Sequence, residues 1–205
     1  MKNYTFLALG DSYTIGEQVL LSDAFPYQTV QLLRSAELGH LAMGAPEIVA
    51  KTGFTTDELL VFMGQRAFLP KYDVVSLLIG VNNQYRGRPV TEFKADFSVL
   101  LQKAILFAGG NAAYVFVLSI PDWGATPFAA GKGTQQIADE IDSFNEVCKS
   151  VAGDFGCVYI DITNSQRADS QHKEFLAGDE LHPSGHEYAK WAVKLASAIS
   201  QALKG

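Results

Sequence analysis

At 205 residues, with 48% hydrophobic and 19% charged residues, the chain has the composition of a globular protein able to bury a substantial core. A formal net charge of −6 and the lack of any Lys/Arg run leave no basic face for a nucleic acid or an anionic membrane. No apolar stretch approaches the ~20 residues of a transmembrane span, no secretory signal precedes the first strand, and Cys148 and Cys157 make neither a disulfide framework nor a metal-ligand spacing; a soluble, cytoplasmic, single domain over residues 1–205 is the expectation.

Residues 4–9 are a short aromatic and apolar run that predicts a buried strand, stopped by Gly10 at a tight turn. Residues 24–38 carry apolar positions at helical spacing, with Pro26 in the first turn and Gly39 as the stop. Glu47–Ala50 predicts a second strand, and Thr55 or Thr56 caps a helix running to about Arg66. Residues 73–79 are nearly continuous in apolar character, as a strand covered on both faces should be. Residues 81–84 follow as a loop, and Thr91 caps a helix to about Ala108, stopped by Gly109-Gly110. Residues 113–118 predict a fourth strand and 119–134 a long loop with an exposed-looking Trp123. A helix over 134–152, a strand over 157–160, a loop over 161–183 without a convincing element and a closing helix over 184–202 complete the chain. Strands alternating with helices five times predict an α/β protein with one parallel sheet covered on both faces, without repeat, linker or second domain.

The polar cluster Asp11-Ser12-Tyr13-Thr14 follows the first strand directly, where such sheets place ligands. Ser12 is the candidate nucleophile; the alternative is that Asp11-Ser12 only caps the next helix. A serine hydroxyl needs a base to take its proton. His182 is the best base in the chain, since an imidazole can be neutral near pH 7 and still return a proton to a leaving group. Asp179, three residues earlier, can reach Nδ1 on a non-helical approach, and Pro183 disfavours a helix at His182. The alternative for Asp179 and His182 is a turn and a helix entry.

Gly10-Asp11-Ser12-Tyr13-Thr14 resembles the first motif block of the GDSL or SGNH hydrolases. Gly80-Val81-Asn82 is similar to that family's Gly-x-Asn block, and Asp179-Glu180-Leu181-His182-Pro183 to its Asp-x-x-His-Pro block. Each is short and weakly specific alone; in this order, from position 10 to 183, they cover nearly the whole chain. The resemblance implies a three-layer α/β/α, flavodoxin-like domain with a five-stranded parallel sheet in the order 2-1-3-4-5. It also implies a serine esterase or lipase whose oxyanion hole comprises the Ser12 N–H, the N–H of a glycine and an asparagine amide, mapped here to Gly53 and Asn82. Gly53 serves equally as a helix entry and Asn82 as a turn residue. Asn83 departs from the family pattern, which usually has Asp there, and so bears on subfamily and substrate more than on reaction type.

The expected reaction is hydrolysis of carboxylic esters, small-molecule or of glycans or lipids, through an acyl-enzyme on Ser12 and with no cofactor or metal. Trp123 and Phe128 on the long loop after the fourth strand would make an apolar but short wall that favours short acyl groups, with Trp123 a candidate substrate contact or else a core residue. Alternatives are a lysophospholipase or lipase, an acyltransferase with the same triad, and a binding module for carbohydrate or lipid without turnover. The Gly131-Lys132-Gly133-Thr134 stretch lacks the spacing of a phosphate loop, and Pro183 separates His182 from His186 as a metal pair on one helix face.

Overall fold

The computed structural model describes residues 2–38 and 40–204; Gly39, the expected helix stop, lies outside the described residues. Five strands, β1 (Phe6–Gly10), β2 (Glu47–Ala50), β3 (Val74–Leu78), β4 (Val115–Leu118) and β5 (Val158–Ile160), form one sheet in the order β2-β1-β3-β4-β5. Every pairing is parallel. All residues of β1, β3 and β4 are buried, which is why their sequences run apolar without alternation. The register decides where the site can be: Gly10 pairs with Ala50 on one side and with Leu78 on the other. The three strands therefore finish level, and the segments that follow them emerge at one carboxyl edge, at the switch point of the sheet.

Helices cover both faces. The helices α2 (Phe25–Arg34) and α8 (Gly185–Lys204) pack together on one, and α3 (Thr56–Gly64), α5 (Val90–Phe107) and α6 (Thr134–Phe155) lie on the other. α3 starts at a capping box, in which Thr55 and Glu58 satisfy each other's backbone N–H groups. α6 ends at Gly156, which takes the left-handed conformation. Between α2 and α8 an aromatic cluster anchors the layer: Trp191 lies 5.1 Å from Tyr188, edge to face, and 6.1 Å from Phe25. Each such fully buried large side chain contributes about 1.5–3 kcal/mol of transfer free energy.

Several expected boundaries differ. The helix expected over 24–38 ends at Arg34, and a separate 3-10 turn covers Ala36–Leu38. Residues 81–84, expected as a loop, are the short helix α4 (Val81–Tyr85), entered from Gly80. The stretch expected to lack an element contains α7 (Thr163–Asp169) and a 3-10 turn at Lys173–Phe175. Gly10 is needed for space and not for unusual backbone angles: a Cβ there would stand 2.1 Å from Thr14 Oγ1 and 2.4 Å from the Leu78 carbonyl oxygen. That close approach lets the chain turn straight from β1 into a one-turn helix, α1 (Ser12–Ile15).

Candidate active site

Asp11 and Ser12 divide the two roles that the sequence leaves open. Asp11 is the N-cap of α1 and accepts from the Tyr13 N–H at 3.0 Å, while Ser12 is the first residue of the turn. The Ser12 hydroxyl is thereby free to face the C-terminal edge of the sheet, where His182 Nε2 lies 3.0 Å from Ser12 Oγ. Ser12 is 5% exposed and His182 8% exposed, so this contact is largely removed from bulk water.

On its other side the imidazole is held by Asp179, whose Oδ2 lies 2.6 Å from Nδ1. The second carboxylate oxygen, Oδ1, accepts from the backbone N–H groups of Leu181 at 3.0 Å and His182 at 2.9 Å. The turn closes because Glu180 takes a left-handed φ of 58°. It is pinned from outside by the Phe128 N–H donating to the Glu180 carbonyl and the Ala177 N–H donating to the His182 carbonyl. Burial works to raise the Asp179 pKa, but the hydrogen bonds from the His182 ring and the two backbone N–H groups outweigh it and hold the carboxyl below its ordinary value. The group facing Nδ1 is thus a carboxylate at neutral pH, which orients the imidazole with its acceptor nitrogen toward Ser12.

Three potential donors belong to residues that line the cavity at Ser12. The Ser12 N–H belongs to the first turn of α1 and lacks an intrahelical acceptor. Gly53 follows β2 at a φ of 83°, a conformation that favours glycine, and its N–H has no acceptor among the described residues. Asn82, in the first turn of α4, donates one amide hydrogen to the Phe54 carbonyl at 3.0 Å and has a second one to offer. Ser12, Gly53, Asn82, His182 and Trp123 all line one cavity of about 230 Å³, with Asp179 behind His182. The structure brings together every candidate residue named from the sequence.

The remainder of the wall is apolar: Tyr13, Val81, Tyr85, Phe128 and Leu181 complete it. Trp123 is 6% exposed and reconciles the two readings of that residue, since it packs into the core and lines the cavity at once. Its indole N–H donates to Gln84 Oε1 at 2.7 Å, and Tyr85 stands edge-on at 5.1 Å. Asp122 fixes the loop from below, accepting from the Gly124 N–H and from Arg167 Nε, both at 2.8 Å. Val81, Gln84 and Tyr85 carried no signal in the sequence because a five-residue helix is too short for periodicity to reveal.

Asn83 points away from the cavity. Its Oδ1 accepts from the Thr56 N–H at 3.1 Å and its Nδ2 donates to Thr56 Oγ1 at 2.8 Å, while that hydroxyl donates to Asp96 Oδ2 at 3.1 Å. The amide here is a buried tie between α4 and α3. Asp11 is the other buried polar group of note: its Oδ2 has no partner among the described residues. Burial pushes its carboxyl up to about 7, against the pull of the hydrogen bond from Tyr13. No three His, Cys, Asp or Glu side chains gather as metal ligands among the described residues. No described helix is long and apolar enough to cross a membrane.

A search of curated proteins finds no match to this chain. Among solved structures, a lipase/acylhydrolase from Enterococcus faecalis superposes with a TM-score of 0.74 at 19% identity, covering 98% of this chain and 96% of that one. An acetylxylan esterase from Geobacillus stearothermophilus gives 0.71 at 20% identity, over 96% and 94% of the two chains. A psychrotrophic esterase from Pseudoalteromonas sp. gives 0.71 at 14% identity, over 98% and 100%. At these identities the likeness is one of fold. The model of the GDSL-like Lipase/Acylhydrolase family matches residues 8–190, most of the chain, so this protein belongs to that family of carboxylic ester hydrolases.

Proposed function

We propose that the protein is a serine esterase for short acyl esters, working through an acyl-enzyme on Ser12, with residues 1–205 acting as one catalytic domain. The observation that carries this reading is the hydrogen-bonded line Ser12–His182–Asp179, at 3.0 and 2.6 Å, opening into an apolar cavity with three donors at its edge. Ser12 Oγ attacks the acyl carbon as its proton passes to His182 Nε2. The carbonyl electrons move to oxygen, where the N–H groups of Ser12 and Gly53 and the Asn82 amide receive the charge. Collapse of the intermediate breaks the bond to the alcohol, which leaves with the proton from His182. Water then attacks the acyl carbon and gives a proton to His182 Nε2; collapse of the second intermediate breaks the acyl–Oγ bond, Ser12 Oγ takes that proton back, and the acid leaves. These steps use only the chain's own groups and water.

The size of the cavity argues for small acyl groups. About 230 Å³ lies below the ~300–1,000 Å³ of sites for drug-sized ligands. Each added methylene contributes ~0.8 kcal/mol of binding only while the walls at Trp123, Phe128 and Leu181 can cover it. Among the structural neighbours, the Pseudoalteromonas esterase is described as inhibited by monoethylphosphonate, a reagent class suited to testing this reading. A fluorophosphonate should label Ser12 and leave Ser12→Ala unlabelled. In a series of p-nitrophenyl esters from C2 to C16, kcat/KM should peak between acetyl and about hexanoyl. Trp123→Ala should move the peak to longer chains. Full labelling of Ser12→Ala would overturn the nucleophile, and a steady rise to C12 or beyond would overturn the short-acyl assignment.

A further inference from the structure

We infer that Arg86 is a positioning residue of the oxyanion hole: its guanidinium clasps the turn that carries Gly53 to the helix that carries Asn82. The inference rests on the proposed reading of those two groups as oxyanion donors. Arg86 lies four residues after Asn82, at the C-cap of α4, where its N–H donates to the Asn82 carbonyl at 3.1 Å. The two side chains therefore rise from one face of the same short helix. They engage consecutive carbonyls of the opposing segment. Asn82 Nδ2 donates to Phe54 O at 3.0 Å, and Arg86 Nη2 donates to Gly53 O at 2.7 Å.

The second arm of the fork is also committed. Arg86 Nη1 donates to Glu58 Oε1 at 3.0 Å, and Glu58 Oε2 accepts the Thr55 N–H at 3.0 Å. One guanidinium thus links the glycine turn, the capped start of α3 and the end of α4. The position needs such a link. Gly53 has no side chain to anchor it and stands at a left-handed φ of 83°, from which a glycine peptide can rotate freely. Rotation would turn the Gly53 N–H away from the cavity. The Phe54 N–H, donating to the Lys51 carbonyl at 3.2 Å, closes the turn, and Arg86 holds the carbonyl of the same Gly53–Phe54 peptide; with that plane held, the rotation about the Gly53 Cα that would re-aim the N–H of the preceding peptide is restricted.

Core packing does not explain the residue. The Arg86 side chain is 42% exposed, and a Cβ built on Gly53 would lie 3.7 Å from Nη2, so the guanidinium covers the turn from the solvent side. A lysine cannot replace it, because a single ammonium lacks the planar fork that meets two acceptors at fixed separation.

The test measures kcat, KM, fluorophosphonate labelling rate and thermal unfolding for Arg86→Ala and Arg86→Lys beside Asn82→Ala. Misplacing one donor of a preorganised site predicts a fall in kcat of about 10- to 100-fold in Arg86→Ala, with KM nearly unchanged and the labelling rate falling by the same factor. Added guanidinium or ethylguanidinium ion, at concentrations of order tens of millimolar and far below those that unfold proteins, should restore part of the loss in Arg86→Ala and none in Asn82→Ala. Arg86→Lys should remain impaired. Three results would overturn the inference while the oxyanion reading stands: a wild-type kcat in Arg86→Ala where Asn82→Ala is crippled, full activity in Arg86→Lys, or a rise in KM alone. Unchanged kcat in Asn82→Ala would remove the oxyanion reading itself, and the clasp with it.

Discussion

Asp11 offers a measurement in which stability reports on the ground beneath Ser12. Its carboxyl is fully buried, its Oδ1 is occupied by the Tyr13 N–H, and its Oδ2 has no partner among the described residues. Burial raises the pKa of the folded state to about 7, whereas an exposed aspartate titrates near ~3.9. The folded protein therefore keeps this proton through a window in which the unfolded chain has lost it. Stability is complete below about pH 4, declines as pH rises through the window, and levels off above about 7. At ~1.4 kcal/mol per pH unit, a gap of about 3 units amounts to ~4 kcal/mol. Asp11→Asn keeps the acceptor for Tyr13 and removes the titration. The difference in Tm between mutant and wild type should be small near pH 4.5. It should grow in favour of the mutant by about 8–16 °C toward pH 8, at ~2–4 °C per kcal/mol for a domain of this size. Other titrating groups cancel in the difference. A gap that stays constant with pH would refute the argument. One that grows in favour of wild type would show that the carboxylate has a donor partner.

Two further outcomes concern catalysis. Asp179→Asn leaves an oxygen for the Leu181 and His182 N–H groups but presents an amide to His182 Nδ1, which favours the wrong tautomer, so kcat should fall by about 10⁴-fold in steady-state assays. In the wild type the Asp179 carboxyl is held below its ordinary value, so its contribution to stability is present above ~3.9 and is lost only as pH falls through the still lower folded value. A Tm loss attributable to Asp179, read as the wild-type minus Asp179→Asn difference, that began at pH 6 would contradict that environment. Asn82→Ala should lower kcat by about 100- to 1,000-fold, or ~3–4 kcal/mol, with KM nearly constant; a rise in KM alone would make Asn82 a substrate contact.

The parallel sheet and the candidates Ser12, His182 and Asp179 were legible because each rests on short-range or strongly typed signals, whereas the strand order came only as what the family resemblance implies. Continuous apolar runs such as Val74–Leu78 announce a strand covered on both faces, and few residue types can serve as nucleophile, base and orienting acid. The rest depended on geometry that the sequence does not display. A helix of five residues has no periodicity, so Val81–Tyr85 looked like a loop, and Gln84, Tyr85 and Arg86 could not be given faces. The α7 segment Thr163–Asp169 is polar almost throughout; it holds its place through Thr163 and Gln166, which bond to the buried Ser119–Asp122 backbone and side chains. A helix held by hydrogen bonds leaves no apolar stripe to read.

Trp123 shows why exposure cannot be judged from a loop's composition alone. A tryptophan among prolines and small residues looked exposed, yet its indole N–H finds the buried Gln84 side chain, and Gln84 in turn donates to Glu140 Oε2 at 2.7 Å. That chain of bonds runs from α6 through α4 to the loop beyond β4, so the wall of the cavity is built from the same short helix that carries Asn82. Under the proposed function, acyl selectivity and oxyanion geometry consequently share a scaffold. Gln84→Ala leaves a buried indole N–H unpaired, at a cost of about 1–3 kcal/mol, and disturbs the Trp123 wall and the Asn82 helix together. Asn82 itself can be removed without moving the wall, because its side chain bonds to Phe54 on the opposite side.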